Sequence, residues 1–195
     1  MRSTTFHPTP SFLLACLFFL ATGSDVSAQS ALNLKGKAAD PFRSSSEQSG
    51  KPVVLIFVRS DCPISNRYAP LLERMQIDYR GKANFWLVYP DKQTNAQQIR
   101  EHMREFGYTL GALRDPDHVL VKRASVSITP EAAVFDAHGK LLYHGRIDNW
   151  YEDAGRSRPA ATSHELQSVL DAVIAGKPSP VGTAPAVGCY ISDLE

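Results

Sequence analysis

The stretch of the chain from residue 53 to residue 72 constrains the fold more than any other. Its first part is an apolar run with β-branched side chains at Val53, Val54, Ile56 and Val58, which predicts a strand buried on both faces of a sheet. Cys62 follows where this strand gives way to a helix. The helix is predicted by apolar side chains at spacings of three and four residues, namely Tyr68, Leu71, Leu72 and Met75.

The position of Cys62 favours a reactive thiol. A thiol at the first turn of a helix faces unpaired backbone N–H groups and the positive end of the helix dipole, and both favour the thiolate. Arg59 adds a cation nearby, whereas the charge of Asp61 would raise the thiol pKa. The alternative interpretation is a buried cysteine that only fills space in the core.

The first 28 residues have the pattern of a secretory signal. Arg2 and His7 precede an apolar run at residues 12–21, and residues 26–28 supply the small side chains that a signal peptidase reads. The apolar run is too short to be a comfortable membrane span. Most of it follows Cys16 instead of preceding it, so we do not expect a lipoprotein anchored at Cys16. We predict a protein that is secreted or periplasmic once residues 1–28 are removed.

Size, charge and cysteine content limit what the remaining chain can be. Removal of 28 residues from 195 leaves 167, enough for one domain with a full core. The net charge of +1 and the scattered Lys and Arg residues form no basic stripe, so we expect no nucleic-acid partner and no anionic membrane surface. We also expect no transmembrane span. Two cysteines remain, Cys62 and Cys189, and in an exported protein such a pair is compatible with one disulfide.

The segments before residue 115 predict further α/β elements. Residues 31–34 are compatible with a short edge strand, and residues 41–50 form a polar loop. Residues 84–89 predict a second buried strand. A helix follows it, with Thr94 and Gln97 at the spacing of a capping box.

The second half of the chain predicts a helix, a hairpin and a closing helix. Asp115-Pro116 is expected to open a short helix as N-cap and first helical residue. Strands at residues 132–135 and 141–144 are separated by turn residues, which predicts an antiparallel hairpin. In the closing helix Thr162 and Glu165 have the spacing of a capping box. The end of that helix is predicted by the residues that follow its apolar face, Gly176 and Pro178.

The strand, the Cys62-Pro63-Ile64-Ser65 turn and the helix resemble the active-site segment of the thioredoxin-like superfamily, in its redoxin branch. The resemblance implies an α/β, three-layer sandwich with a central mixed sheet flanked by helices. It assigns residues 51–176 to the thioredoxin-like domain, residues 29–50 to an N-terminal extension and residues 177–195 to an irregular C-terminal tail. Ser65 stands where the familiar redox motif has its second cysteine.

A second element of the resemblance is Thr129-Pro130, just before a predicted strand. In the superfamily the matching proline is cis and faces the active-site cysteine, and it leaves backbone groups free to pair with an extended substrate. The resemblance therefore implies that Thr129, Pro130, Pro63 and Ser65 contact the substrate. The alternative for Pro130 alone is an ordinary turn proline in the trans form.

Two further segments resemble a narrower set of exported redoxins, the GRID-type run at residues 145–151 and Gly188-Cys189 near the carboxyl terminus. Within the run we expect an ion pair between Arg146 and Asp148 that fixes the loop. Trp150 and Tyr151 are expected either to wall the active site or to cap the core.

Cys189 lies in the tail, residues 177–195, which looks too irregular to form an element of its own. A free thiol on a mobile exported tail would be a liability, so we expect Cys189 to have a partner. Cys62 is the candidate within the chain. The alternatives are a thiol of another molecule, or an inert residue in a docked tail.

The sequence favours an enzyme, a thiol–disulfide oxidoreductase or related antioxidant redoxin, with Cys62 as nucleophile and Cys189 as its resolving or partner thiol. Its expected partners are protein or small-molecule disulfides and thiols, and we expect no cofactor and no bound metal.

A peroxidase of the same superfamily, with peroxide as substrate, is the first alternative. The family pattern has a threonine and a proline before the cysteine, and here those positions hold Arg59 and Leu55. Without the threonine hydroxyl, efficient peroxidase chemistry is not expected.

The second alternative is a non-enzymatic module that binds a partner or copper. Thioredoxin-like copper chaperones use two thiols and a histidine, and the two thiols here would be Cys62 and Cys189. The third ligand would be one of three histidines, His118, His138 or His144. The two-cysteine turn of that family is absent from this sequence.

Overall fold

The structure is a computed structural model that describes residues 30–43, 50–192 and 194, together with residues 1 and 3. Apart from those two residues, the predicted signal at residues 1–28 lies outside the described residues. Cys16 and residues 44–49 of the predicted polar loop also lie outside them.

The described chain alternates strands with helices in its first half, as the sequence predicts, and continues with a series of strands and a closing helix. In chain order the elements are β1 (Leu32–Asn33), β2 (Val53–Phe57), α1 (Pro63–Arg67), α2 (Ala69–Asp78), β3 (Asn84–Tyr89), α3 (Ala96–Glu105), β4 (Gly111–Arg114), α4 (Val119–Ala124), β5 (Ile128–Thr129), β6 (Glu131–Phe135), β7 (Leu141–Gly145), β8 (Tyr151–Asp153), β9 (Arg156–Ser157), α5 (Glu165–Ile174), β10 (Thr183–Ala184) and β11 (Cys189–Tyr190).

A seven-stranded mixed sheet with the order β1-β4-β3-β2-β6-β7-β10 forms the middle layer. The central strand β2 runs parallel to β3 and antiparallel to β6, and all five of its residues are buried. β1 adds antiparallel to β4 at one edge, as expected of residues 31–34. The hairpin of β6 and β7 is antiparallel, as its turn residues predict.

Alternate residues of β2 contribute to two separate apolar clusters, one on each face of the sheet. Val54 and Ile56 pack in the cluster that contains Cys62 and the buried side chains of α1, α2, α3 and α5. Leu55 and Phe57 pack on the other face, against α4. The three-layer α/β sandwich predicted from the sequence is therefore confirmed, and Cys62 belongs to the layer with more helices.

Three predicted helix starts are wrong, those of α3, α4 and α5. The N-cap of α3 is Asn95, not Thr94: the Asn95 side chain accepts from the N–H of Gln98, and the Gln98 side chain accepts from the N–H of Asn95. The expected box of Thr94 and Gln97 therefore lies one residue too early, because Thr94 donates instead to the Asp91 carboxylate.

The short helix expected to open at Asp115-Pro116 begins at Val119. Asp115 still caps it, because its buried carboxylate accepts from the N–H groups of Val119, Leu120 and Val121.

The capping box expected at the closing helix is also absent. The N-cap of α5 is His164, which forms no side-chain cap. Thr162 instead bonds with the Asn149 side chain, and Glu165 contacts Arg146 and Ser163. Tertiary partners from the loop after β7 have therefore replaced the local cap.

The tail forms strands, contrary to the expectation that it has no element of its own. β10 extends the sheet in parallel with β7, and β11 pairs antiparallel with β5. At Gly145 in β7 an added Cβ would collide with the backbone of Ala184, and its φ of 147° lies in a region that favours glycine. None of the helices in the described part of the chain has the length and apolar character needed to cross a bilayer.

Candidate active site

Cys62 stands at the junction that the sequence predicts. It is the N-cap residue of α1, with extended backbone, and Pro63 is at the start of the helix. Its carbonyl accepts from the N–H of Asn66 at 3.1 Å. The side chain is fully buried, and Sγ donates to the carbonyl oxygen of Thr129 at 3.2 Å. The structure therefore brings together Cys62 and the Thr129-Pro130 segment, which are 67 residues apart in the chain.

The peptide bond between Thr129 and Pro130 is cis, as predicted. Thr129 is the second of the two residues of β5, the partner strand of the tail. Cys189 lies opposite Thr129 in the antiparallel register, and Tyr190 lies opposite Ile128. The Thr129 hydroxyl donates to the carbonyl of Cys189 at 3.2 Å. The tail therefore brings the second cysteine to the backbone that contacts the first.

The two thiols are neighbours, and they are not joined by a disulfide in this structure. Burial by itself raises the pKa of Cys62. Hydrogen bonds that the ionised sulfur can accept outweigh it, and their donors are the Cys189 thiol and N–H and the N–H and hydroxyl of Ser65. The pKa of Cys62 is therefore lowered from its ordinary value. Among the described residues the buried Ser65 hydroxyl has no hydrogen-bond partner while Cys62 is a thiol, so it is available to the sulfur once that ionises.

Cys189 has the opposite behaviour. Burial, its hydrogen bond to Cys62 and the charge of the Cys62 thiolate together raise the pKa of Cys189 to about 12, while the Arg59 guanidinium acts against them. In the reduced protein Cys62 is therefore the sulfur that ionises and Cys189 is the one that keeps its proton.

Arg59 has a different role from the expected one of a cation beside Cys62. Its guanidinium is held by both oxygens of Asp61, at 3.0 and 2.7 Å. It also donates to the carbonyl of Tyr190 in the tail at 3.0 Å. Because Asp61 neutralises it locally, we attribute the lowered pKa of Cys62 to hydrogen bonds rather than to this cation.

A buried hydrogen-bond chain behind α1 was not predicted. The Asn66 side chain donates to the carbonyl of Ser60 and accepts from His102 Nε2 at 2.9 Å. The hydroxyl of Tyr89 lies 2.8 Å from His102 Nδ1. Burial lowers the pKa of His102, which keeps the imidazole neutral, as this chain of bonds requires. The chain fixes the loop before Cys62 to β3 and α3.

Glu131 supports the Thr129-Pro130 segment from the other side, and this role was also missed. Its buried carboxylate accepts from the N–H groups of Ser127 and Ile128, at 3.1 and 3.3 Å. The second carboxylate oxygen lies 3.2 Å from Nδ1 of His144. The only available signal was an acidic residue directly after the proline in an otherwise apolar strand.

The run at residues 145–151 lies beside the site, but its ion pair is not the predicted one. Arg146 pairs with Glu165 in α5, so the expected pair of Arg146 with Asp148 is wrong. Asp148 is buried and accepts from the hydroxyl of Tyr68 at 2.6 Å. Tyr151 fits both of the predicted alternatives, a wall of the site and a cap on the core. It is buried in the core cluster, and its ring also packs near that of Tyr68.

The geometry does not favour the copper alternative. In the part of the chain that the structure describes, no three His, Cys, Asp or Glu side chains are grouped so that they could hold a metal. His118 contacts the carbonyl of Pro90, and His144 contacts Glu131.

Comparison with known proteins agrees with this fold. Residues 50–141 match a protein-family model described as thioredoxin-like. No curated protein matches the chain.

Three solved structures have a similar fold. An uncharacterized conserved protein from Geobacillus kaustophilus has a TM-score of 0.67 and 23% identity, covering 83% of this chain and 86% of its own. A hypothetical protein from Sinorhizobium meliloti has a TM-score of 0.66 and 19% identity, covering 83% and 88%. A secreted Mycobacterium tuberculosis disulfide oxidoreductase, described as homologous to E. coli DsbE, has a TM-score of 0.50 and 22% identity, covering 75% and 93%. At these identities the likeness establishes the fold alone.

Proposed function

Because the chain belongs to the thioredoxin-like superfamily, we propose that it is a thiol–disulfide oxidoreductase with Cys62 as nucleophile and Cys189 as resolving thiol. The observation that supports this most is the pairing of the two sulfurs against Thr129, with the pKa of Cys62 lowered and that of Cys189 raised. Cys62 is thereby ionised and able to attack a disulfide, and Cys189 stays protonated until the second step.

The first step uses the Cys62 thiolate. It attacks one sulfur of a substrate disulfide, so that a bond between Cys62 and that sulfur forms, the substrate S–S bond breaks and the second substrate sulfur leaves as a thiolate. The N–H and hydroxyl of Ser65 stabilise the Cys62 thiolate before the attack. Pro63 starts the helix that holds Cys62 in place.

The second step uses Cys189. Once Cys62 is part of a mixed disulfide it carries no charge, so a main cause of the raised pKa of Cys189 disappears while Arg59 still favours its thiolate. Cys189 loses its proton and attacks the sulfur of Cys62, the mixed disulfide breaks, and the remaining substrate sulfur leaves as a thiolate that takes up a proton. The substrate disulfide has then gained two electrons and the protein has lost two. An external thiol is needed to reduce the Cys62–Cys189 bond again.

We also propose that the protein works after export, with residues 1–28 removed, because disulfide chemistry of this kind suits an oxidising compartment. The mass of the protein recovered outside the cytoplasm checks this, since cleavage predicts a chain that begins at Gln29.

Trapping of the mixed disulfide tests the proposed function. Reduced protein is mixed with oxidised glutathione, and the adducts are read by intact mass and peptide mapping. Cys189→Ser is expected to accumulate glutathione on Cys62, because the resolving thiol is missing, whereas the unsubstituted chain passes on to an internal disulfide. Cys62→Ser is expected to form no adduct within the same time. An adduct that forms first on Cys189, or equal reaction of all three proteins, would contradict the assignment.

A further inference from the structure

The tail lies along a groove that binds its backbone at residues 189–191. Cys189 and Tyr190 pair with β5, and the N–H of Ile191 donates to the carbonyl of Ser127 at 2.9 Å. Two side chains of the domain also bind tail carbonyls: the Thr129 hydroxyl binds that of Cys189, and Arg59 binds that of Tyr190. These hydrogen bonds involve the backbone of an extended segment and not its side chains, so another extended segment could form the same bonds.

Three positions of the tail do depend on side chains. At Gly188 an added Cβ would collide with the carbonyl of Thr129, so only glycine fits while the strand is seated. Cys189 places its sulfur at Cys62. Ile191 is only 5% exposed and packs in the apolar cluster with α4, whereas Tyr190 is 75% exposed and is therefore unconstrained. The groove thus accepts glycine, cysteine, any residue and an aliphatic residue, in that order.

We propose that the tail strand is an internal substitute for the substrate. The groove between Arg59 and Thr129 then takes, as the true substrate, an extended polypeptide whose disulfide-bonded cysteine follows a glycine and precedes an aliphatic residue by two positions. This inference rests on the proposed function for its chemistry, but the groove itself is defined by contacts that need no reaction.

The two occupants exclude each other, because each needs the same backbone groups of β5. A substrate strand displaces the tail and brings its disulfide to Cys62. The returning tail then brings Cys189 to the mixed disulfide and expels the reduced product in the same movement. Since the tail is tethered to the domain it competes at a high effective concentration, so substrate binding is weak while the tail is seated.

Binding of a peptide without a thiol tests the groove separately from the chemistry. The probe is a fluorescent heptapeptide with the tail's order but serine for cysteine, Ala-Val-Gly-Ser-Tyr-Ile-Ser, and binding is measured by fluorescence anisotropy with the full chain. Gly188→Val, which cannot seat its own tail, is expected to bind at least tenfold tighter than the unsubstituted chain. Gly182→Val is the matched control, because nothing lies within 4 Å of a Cβ at that position, and it is expected to bind like the unsubstituted chain.

Peptide variants test the order of residues. Replacement of the glycine by alanine, or of the isoleucine by aspartate, is expected to weaken binding to the Gly188→Val protein at least tenfold, whereas replacement of the tyrosine by serine changes it little. If Gly188→Val fails to fold, Ile191→Asp releases the tail by removing its apolar anchor.

Equal binding by released and unsubstituted chains, no binding by a folded released variant, or no discrimination among the peptides would overturn the proposal. A failure of glutathione to react at Cys62, with the peptide binding as expected, would instead overturn the proposed function and leave the groove in place.

Discussion

Two neighbouring sulfurs with opposite pKa shifts define the site at the scale of single residues. The Cys62 thiolate collects hydrogen bonds from Ser65 and Cys189, and the same interaction holds the proton on Cys189. Ser65 occupies the place of a second cysteine in the turn. In the proposed function the resolving sulfur therefore comes from the tail, and Ser65 is proposed as a hydrogen-bond donor to the thiolate.

Replacement of Ser65 by alanine tests that donor role. Because a hydrogen bond to a charged group contributes about 1.5 kcal/mol, we expect Ser65→Ala to raise the pKa of Cys62 and to lower its thiolate fraction roughly tenfold at a pH below that pKa. The pH profile of iodoacetamide alkylation at Cys62 measures it, since alkylation follows the thiolate. The unsubstituted protein should have its midpoint below about 8.5, the value for a free thiol.

Ser168→Ala, on the exposed face of α5, is the control for Ser65→Ala and should leave the profile unchanged. If Ser65→Ala also leaves the profile unchanged, the hydroxyl of Ser65 does not stabilise the Cys62 thiolate.

Reaction with peroxide is expected to be slow. The position at which the peroxidase pattern has a threonine is Arg59, and its guanidinium is occupied by Asp61 and by the tail. Stopped-flow measurement with hydrogen peroxide should give a rate constant per thiolate similar to that of free cysteine. Oxidation of Cys62 within seconds at micromolar peroxide would favour the peroxidase alternative.

At the scale of elements, the contact between Arg146 and Glu165 docks α5 on the loop after β7. Burial raises the pKa of Glu165, but hydrogen bonds from Arg146 and Ser163 outweigh it, so the folded-state pKa is lowered. A lowered carboxylate pKa stabilises the fold above the unfolded-state value of about 4.3, and this contribution is lost as the pH falls through the folded-state pKa.

Glu165→Gln is therefore expected to lower the free energy of unfolding by about 1.5 kcal/mol at pH 7, with the difference shrinking below pH of about 4. Urea unfolding at pH 7 and at a pH below about 4 measures this difference in the free energy of unfolding. Glu105→Gln, an exposed residue at the end of α3, is the control and should have little effect at either pH. A difference that persists in acid would show that Glu165 contributes by packing rather than by charge.

Elements with a local pattern could be predicted from the sequence, and elements formed by distant partners could not. β2, β3 and the hairpin of β6 and β7 have apolar runs or turn residues that specify them within a few positions. β10 and β11 have two residues each, too few for a periodic pattern, and their partners are about 40 and 60 residues away in the chain. β4 was not predicted either, because it is defined by its pairing with β3 and β1 rather than by a pattern of its own.

Side-chain roles followed the same division. The positions of Cys62 at a helix start and of Pro130 after a cis bond could be predicted, because each stands at a fixed place in the order of elements. Glu131 and His102 could not, since a buried polar residue is recognised only when its partners are known. The helix caps failed where a tertiary contact competes with the local one, as at Glu165.

At the scale of the whole molecule, the tail joins the far edge of the sheet to the active site. It leaves α5, adds β10 to the sheet beside β7, and ends at β5 beside Cys62. Backbone pairing with β5, the tight fit at Gly188 and the buried Ile191 together hold the tail in this place.

The proposed function depends on a bond that Cys62 and Cys189 can form with each other, and disulfide mapping detects that bond. The reduced protein is treated with one equivalent of diamide, which removes two electrons from a pair of thiols, and is then digested without reductant and analysed by mass spectrometry. We expect a linked pair of peptides, one containing Cys62 and the other Cys189, in monomeric protein. Two free thiols after this treatment, or cross-linked dimers with Cys189 bonded to a second molecule, would contradict it.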